Sequence, residues 1–132
     1  MKTEEIAKEE NQTKESASAC HPTTTYSTSY EHRYHSVQNY VNEGEECPKL
    51  DARSEAAAIN AAWDHFNKLA KAYCGEGSCA GEKTCTETIT NRSAKKGAQR
   101  RKFTPSSADA KQGALECFIT IEMTASISCA CS

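Results

Sequence analysis

The chain has 132 residues, which is one domain with tails rather than two, and hydrophobic residues make up only 37% of it. A net charge of −2 gives no global field for a polyanion or an acidic surface, so any charge argument has to be local. No stretch approaches the ~20 apolar residues of a membrane span. Eight cysteines against so thin a core are the compositional sign of covalent or metal cross-linking.

Residues 1–19 are charged and hydroxyl-rich, with Ile6 the only large apolar side chain. Such a segment cannot bury enough surface to offset its ordering entropy and reads as a flexible charged arm. It lacks the apolar run of a secretory signal, whereas the cysteine usage points to an oxidising compartment. Removal of a leader reconciles the two, giving an extracellular or periplasmic protein. The alternative is a cytoplasmic protein whose thiols hold metal.

The single cysteine-rich domain, 20–132, opens with T-T-T-Y-S-T-S-Y-E-H-R-Y-H-S-V-Q-N-Y-V. Its β-branched and aromatic content predicts one or two strands within 23–41. Tyr26, Tyr30, His32 and Tyr34 share one parity there and form a candidate binding face, since tyrosine offers apolar area with a polar tip. The plainer reading of that row is half-buried sheet surface. N-E-G-E-E-C-P, 42–48, reads as a turn.

A helix is predicted over about 52–74, where Ile59, Ala62, Trp63, Phe66, Leu69, Ala70 and Tyr73 recur at three and four. Asp51 or Ser54 can cap it, Trp63 falls in the expected core, and Gly75 is placed for a left-handed stop. The loop C-G-E-G-S-C-A-G-E-K-T-C follows at 74–85. Strands at 84–92 and 98–104 are then expected to form a hairpin around S-A-K-K-G. Arg92, Lys95, Lys96, Arg100, Arg101 and Lys102 fall on that hairpin with Phe103 beside them, a candidate grip for phosphates, heparin-like sulfates or an anionic lipid surface. The plainer reading is a solvated tip whose charges blunt a sheet edge.

The last strand, 116–131, is the clearest element. Cys117, Ile119, Ile121, Met123, Ala125, Ile127, Cys129 and Cys131 alternate with a mostly polar set, the pattern of a half-buried strand. Its extended length of roughly 45–50 Å predicts a bend or bulge near Ala125–Ser126. The order strand, helix, hairpin, strand defines an α+β domain, one long helix on a small antiparallel sheet.

The cysteines admit three readings. Four disulfides among Cys20, Cys47, Cys74, Cys79, Cys85, Cys117, Cys129 and Cys131 allow 105 connectivities. Cys129 and Cys131 point to one face and are expected to take different partners, with the loop cysteines as candidates. A thiolate site for zinc or copper could use Cys74, Cys79, Cys129 and Cys131, although no C-x-x-C knuckle occurs. Cys117 alone suits a plain buried hydrophobe.

Catalysis finds little support. His65 beside Asp64, and His21 before Pro22, have no readable nucleophile partner, and many paired thiols are unlike one activated cysteine. No phosphate loop and no cofactor are implied. N-Q-T at Asn11 and N-R-S at Asn91 are formal glycosylation sequons. The expected function is a small disulfide-stabilised binding module without catalysis, its protein or anionic-polymer partner and its oligomeric state open. The alternatives are an intracellular thiolate–metal protein and polyanion binding through 92–102.

Overall fold

The computed structural model describes residues 19–132, so the expected arm falls outside the described residues except for Ala19. Four elements follow one another: β1 (Ala19–Asn42), α1 (Ala52–Gly75), β2 (Cys85–Pro105) and β3 (Gln112–Cys131). The described strands form one three-stranded antiparallel sheet in the order β1-β3-β2, a small α+β fold tied by four disulfides. No helix among the described residues is long and apolar enough to cross a membrane.

β3 occupies the centre because it alone alternates without interruption. Every odd residue from Gly113 to Cys129 is buried and the even ones are partly or fully exposed. The expected bulge at Ala125–Ser126 is therefore not present. The backbone irregularities lie on the outer strands instead, at Tyr40 (φ 67°) in β1 and Asn91 (φ 55°) in β2. In β2 the inward residues Cys85, Glu87 and Ile89 keep strict alternation until Asn91 ends it. Edge strands tolerate such bulges because only one of their sides must stay in register.

The predicted hairpin is replaced by one continuous strand, β2. The tight two-residue hairpin turns need at least one residue of positive φ, and none of 93–97 has one, the only positive φ in β2 being that of Asn91. Within 94–97 both lysines are paired with carboxylates, Lys95 with Glu122 at 3.6 Å and Lys96 with Glu55 at 3.2 Å.

α1 begins where Asp51 Oδ1 accepts the Ser54 N–H at 2.7 Å, an N-cap that holds the Asp51 carboxyl below its usual range. Its buried row is Ala58, Ala62, Phe66, Ala70 and Cys74, each fully buried and four residues apart. Ile59, Trp63, Leu69 and Tyr73 are only half-buried along its flanks, so Trp63 is not the core residue expected. The small residues take the line of closest approach and the bulky ones cover its margins. Gly75 does not supply a left-handed stop. The helix closes through i→i+3 bonds, Glu76 N–H to Tyr73 O and Gly77 N–H to Cys74 O, and the left-handed glycine is Gly81.

The chain divides into two compact units. Among the described residues the first holds 19–28, 64–93 and 123–132, and the second holds 29–63 and 94–122. Each unit has its own buried set. In the first, Phe66, Ala70 and Cys74 of α1 are buried together with Met123, Ala125, Ile127 and Cys129 of β3. In the second, the buried residues are Ala58 and Ala62 with Leu115, Cys117, Ile119 and Ile121, and Val41 packs with Leu115 and Cys117.

Gly113 shows how tightly the second unit is built. A Cβ there would lie 2.0 Å from the Thr104 carbonyl oxygen and 2.7 Å from Pro105 Cα, both main-chain atoms that cannot swing aside. Gly113→Ala is therefore expected to cost about 1–3 kcal/mol, read as a lowered urea midpoint. Gly44→Ala serves as the control, because nothing lies within 4 Å of its Cβ position. Equal midpoints for the two variants would contradict this packing.

Candidate functional site

The eight cysteines form four bridges: Cys20–Cys85, Cys47–Cys117, Cys74–Cys129 and Cys79–Cys131. Cys129 and Cys131 thus bond to different loop cysteines, while Cys85 joins Cys20 at the start of β1. Cys117 is not a plain buried hydrophobe, since it closes the bridge to Cys47. Three bridges cluster in the first unit. The sulfurs of Cys20, Cys79 and Cys85 lie within 4.8 Å of one another, and so do those of Cys74, Cys85 and Cys129. Cys74, Cys79, Cys129 and Cys131, the four of the thiolate–metal reading, are bonded in two pairs, and a disulfide sulfur is not the thiolate such a site requires.

The cationic residues lie on β2 of the second unit, apart from Arg92 in the first, and each of those in the second unit has a partner. Arg100 makes two hydrogen bonds to the Glu31 carboxylate, at 3.0 and 2.7 Å, and its guanidinium lies 4.2 Å from the centroid of the Phe118 ring. In the order β1-β3-β2 this arm reaches across the central strand, with Phe118 as its apolar support. Glu116 on β3 receives Arg33 from β1 at 2.7 Å and Lys102 from β2 at 4.0 Å. Arg101 donates to the main-chain carbonyls of Glu45 and Glu43 and lies near Phe103. Lys95 and Lys96 are paired as described above. The outer face of this unit is thus a cross-strand charge ladder. Its carboxylates Glu31, Glu116 and Glu122 escaped the sequence reading because they come from strands far away in the chain.

The Glu31–Arg100 pair has a defined pH response. Its hydrogen bond with Arg100 holds the Glu31 carboxyl below the ordinary carboxylate range, against an opposing effect of burial, and raises the guanidinium. A lowered folded-state pKa contributes stability above the unfolded carboxylate value, about 4.3, and loses it as pH falls through the folded value. The Tm gap between the wild type and Glu31→Gln is therefore expected to be small at neutral pH, as for any exposed pair, and to close in acid. A gap that widened as pH fell would contradict the pairing.

The residues of the tyrosine row lie on β1, Tyr26 in the first unit and Tyr30, His32 and Tyr34 in the second. Tyr30, His32 and Tyr34 are half-buried, and Tyr34 donates to Pro48 O at 2.9 Å while packing on the Val41–Leu115–Cys117 cluster. Tyr26, 41% exposed, lies 5.9 Å from the Phe66 ring of α1. The His21 ring lies 3.9 Å from that of Tyr73, tilted by 50°, and 3.6 Å from Glu76. Burial, and then the Glu76 charge, push the Tyr73 phenol up.

The outer face of the first unit is different in kind. Its outward residues on β2 are Thr86, Thr88 and Thr90, and β3 presents Thr124, Ser126 and Ser128 beside them. Ser27 Oγ and Thr124 Oγ1 are 2.7 Å apart, Thr86 Oγ1 and Ser132 Oγ 3.2 Å, and Asn91 Nδ2 donates to Ser126 Oγ at 3.4 Å. The signal for this face was present in the sequence as the alternation T-x-T-x-T-x-T over 84–90.

In comparisons with known proteins, no family model matches the chain, and neither does any curated protein or solved structure.

Proposed function

We infer that the protein is an exported, disulfide-stabilised binding module that acts through an exposed sheet face and not by catalysis. The observation that carries this reading is the pairing of all eight cysteines around a small core, cross-linking typical of extracellular and periplasmic proteins. The outer sheet faces are the surfaces such a module would use, since the tyrosine row is engaged on the inner side. The charge ladder ranks below the hydroxyl face, because its cations already hold carboxylates or carbonyls.

Thiol alkylation of the denatured protein, with and without prior reduction, tests the reading. The expected result is no reactive thiol before reduction and eight after it. Reactive thiols before reduction, with metal released to a chelator, would replace it by the thiolate–metal reading.

A further inference from the structure

The hydroxyl face of the first unit has a two-dimensional repeat. Thr84 and Ser132 exchange main-chain hydrogen bonds at 2.9 and 3.0 Å, which fixes the register of β2 against β3. Counting along the antiparallel pair from there sets Thr88 beside Ser128 and Thr90 beside Ser126. On the other side of β3 every second residue of β1 from Thr23 to Ser27 is an exposed hydroxyl, and Ser27 is hydrogen-bonded to Thr124. Hydroxyls on one strand repeat at roughly 6.7 Å and those on neighbouring strands at roughly 4.8 Å. Lateral hydrogen bonds hold Ser27, Thr86, Thr124 and Ser126 in place before any ligand arrives.

The chemistry of the face selects its ligand. None of the outward residues from Thr23 to Ser27, Thr124 to Ser128 or Thr86 to Thr90 carries a charge, so charge complementarity calls for an uncharged partner. Nucleic acids and sulfated polymers need cations facing them. Protein interfaces are anchored by Trp, Tyr and Arg, whereas Ser and Thr are under-represented among their hot spots. Sugar rings stack on aromatic side chains, but Tyr26 and Tyr73 of this unit engage Phe66 and His21 instead. What remains is a ligand that both donates and accepts at every site, as a hydroxyl does, and repeats in two dimensions.

We propose that this face binds the ordered water lattice of ice, so that the protein adsorbs to growing ice crystals. Threonine hydroxyls enter the lattice as donors and acceptors, and the methyl groups beside them border the spaces in which lattice water is ordered. The twist of about 20–25° between neighbouring strands limits the matching area to a few rows. Faceting of crystals and slowed recrystallisation are therefore expected, rather than a large freezing gap. The proposal rests on the reading of the protein as an exported binding module, because the ice it meets lies outside the cell.

The oxidised full chain is tested by its enrichment in a slowly grown ice fraction and by the shape of single ice crystals in its presence. The wild type is expected to be enriched over an inert protein of similar size and to facet the crystals. Thr88→Tyr and Thr25→Tyr, both at exposed positions, should bring enrichment down to the inert level and restore round crystals at unchanged Tm. A folded wild type with no reactive thiol that behaves like the inert protein overturns the ice proposal and leaves the binding-module reading standing. Full activity in both tyrosine variants also overturns it, as does co-sedimentation of the wild type with cellulose but not with ice. Reactive, metal-bearing thiols in the wild type would remove the underlying reading itself.

Discussion

Replacing Cys74 and Cys129 together by alanine is expected to cost the domain a large part of its margin of stability. The bridge closes a loop of 55 residues, worth about 4 kcal/mol in the chain-entropy account, and a domain of this size has only ~5–15 kcal/mol in all. Cys79–Cys131 closes a nearly equal loop of 52 residues, so the entropic contributions of the two bridges match. The packing does not match. Cys74 and Cys129 are 0% and 3% exposed, whereas Cys79 and Cys131 are half-buried, so only the first pair leaves a hole when truncated. Urea unfolding should therefore show a lower midpoint for C74A/C129A than for C79A/C131A. Full reduction should abolish the helical circular dichroism at 25 °C. A reduced chain that kept its helix would show that the core suffices without the bridges.

Phe66→Ala is expected to lose about 3–5 kcal/mol, the cost of emptying a fully buried aromatic site. Trp63→Ala should lose less despite the larger side chain, because Trp63 is half-buried on the flank of α1. Thermal or urea unfolding of the two variants decides the matter. A larger loss at Trp63 would mean that the helix faces the sheet along the row of bulky residues rather than along Ala58, Ala62, Phe66, Ala70 and Cys74.

That contrast shows what the sequence could and could not reveal. The period of the helix and the parity of β3 were legible because each is a local pattern, repeated over many residues. Which edge of the apolar stripe touches the sheet was not legible, since Ile59 and Trp63 offer far more side-chain area to bury than Ala58 and Ala62. The closeness of the approach, which favours the alanines, is a tertiary fact. The run Ser93–Gly97 read as a turn by its composition, yet Lys95 and Lys96 pair with Glu122 and Glu55, distant in the chain. The bridges could be counted but not assigned, for the same reason. As for the outward faces, the cations could be seen one strand at a time, whereas their neutralisation by Glu31 and Glu116 belongs to the assembled sheet.

The central position of β3 also bears on how the protein is made. During vectorial synthesis β1, α1 and β2 emerge before the strand that joins them, and β1 and β2 are not neighbours in the sheet. Five cysteines are then present, of which only Cys20 and Cys85 can find each other. Cys47, Cys74 and Cys79 must wait for partners 52 to 70 residues further on. The pairing of β1 with β3 is non-local and slow to nucleate, whereas β2 and β3 are joined by the short connection between Pro105 and Gln112. The nascent chain thus passes through a long interval with three unpartnered thiols, in which the easiest bonds to form are wrong ones. Such wrong pairings are corrected only by thiol–disulfide exchange, a step that an isomerase in the folding compartment would speed.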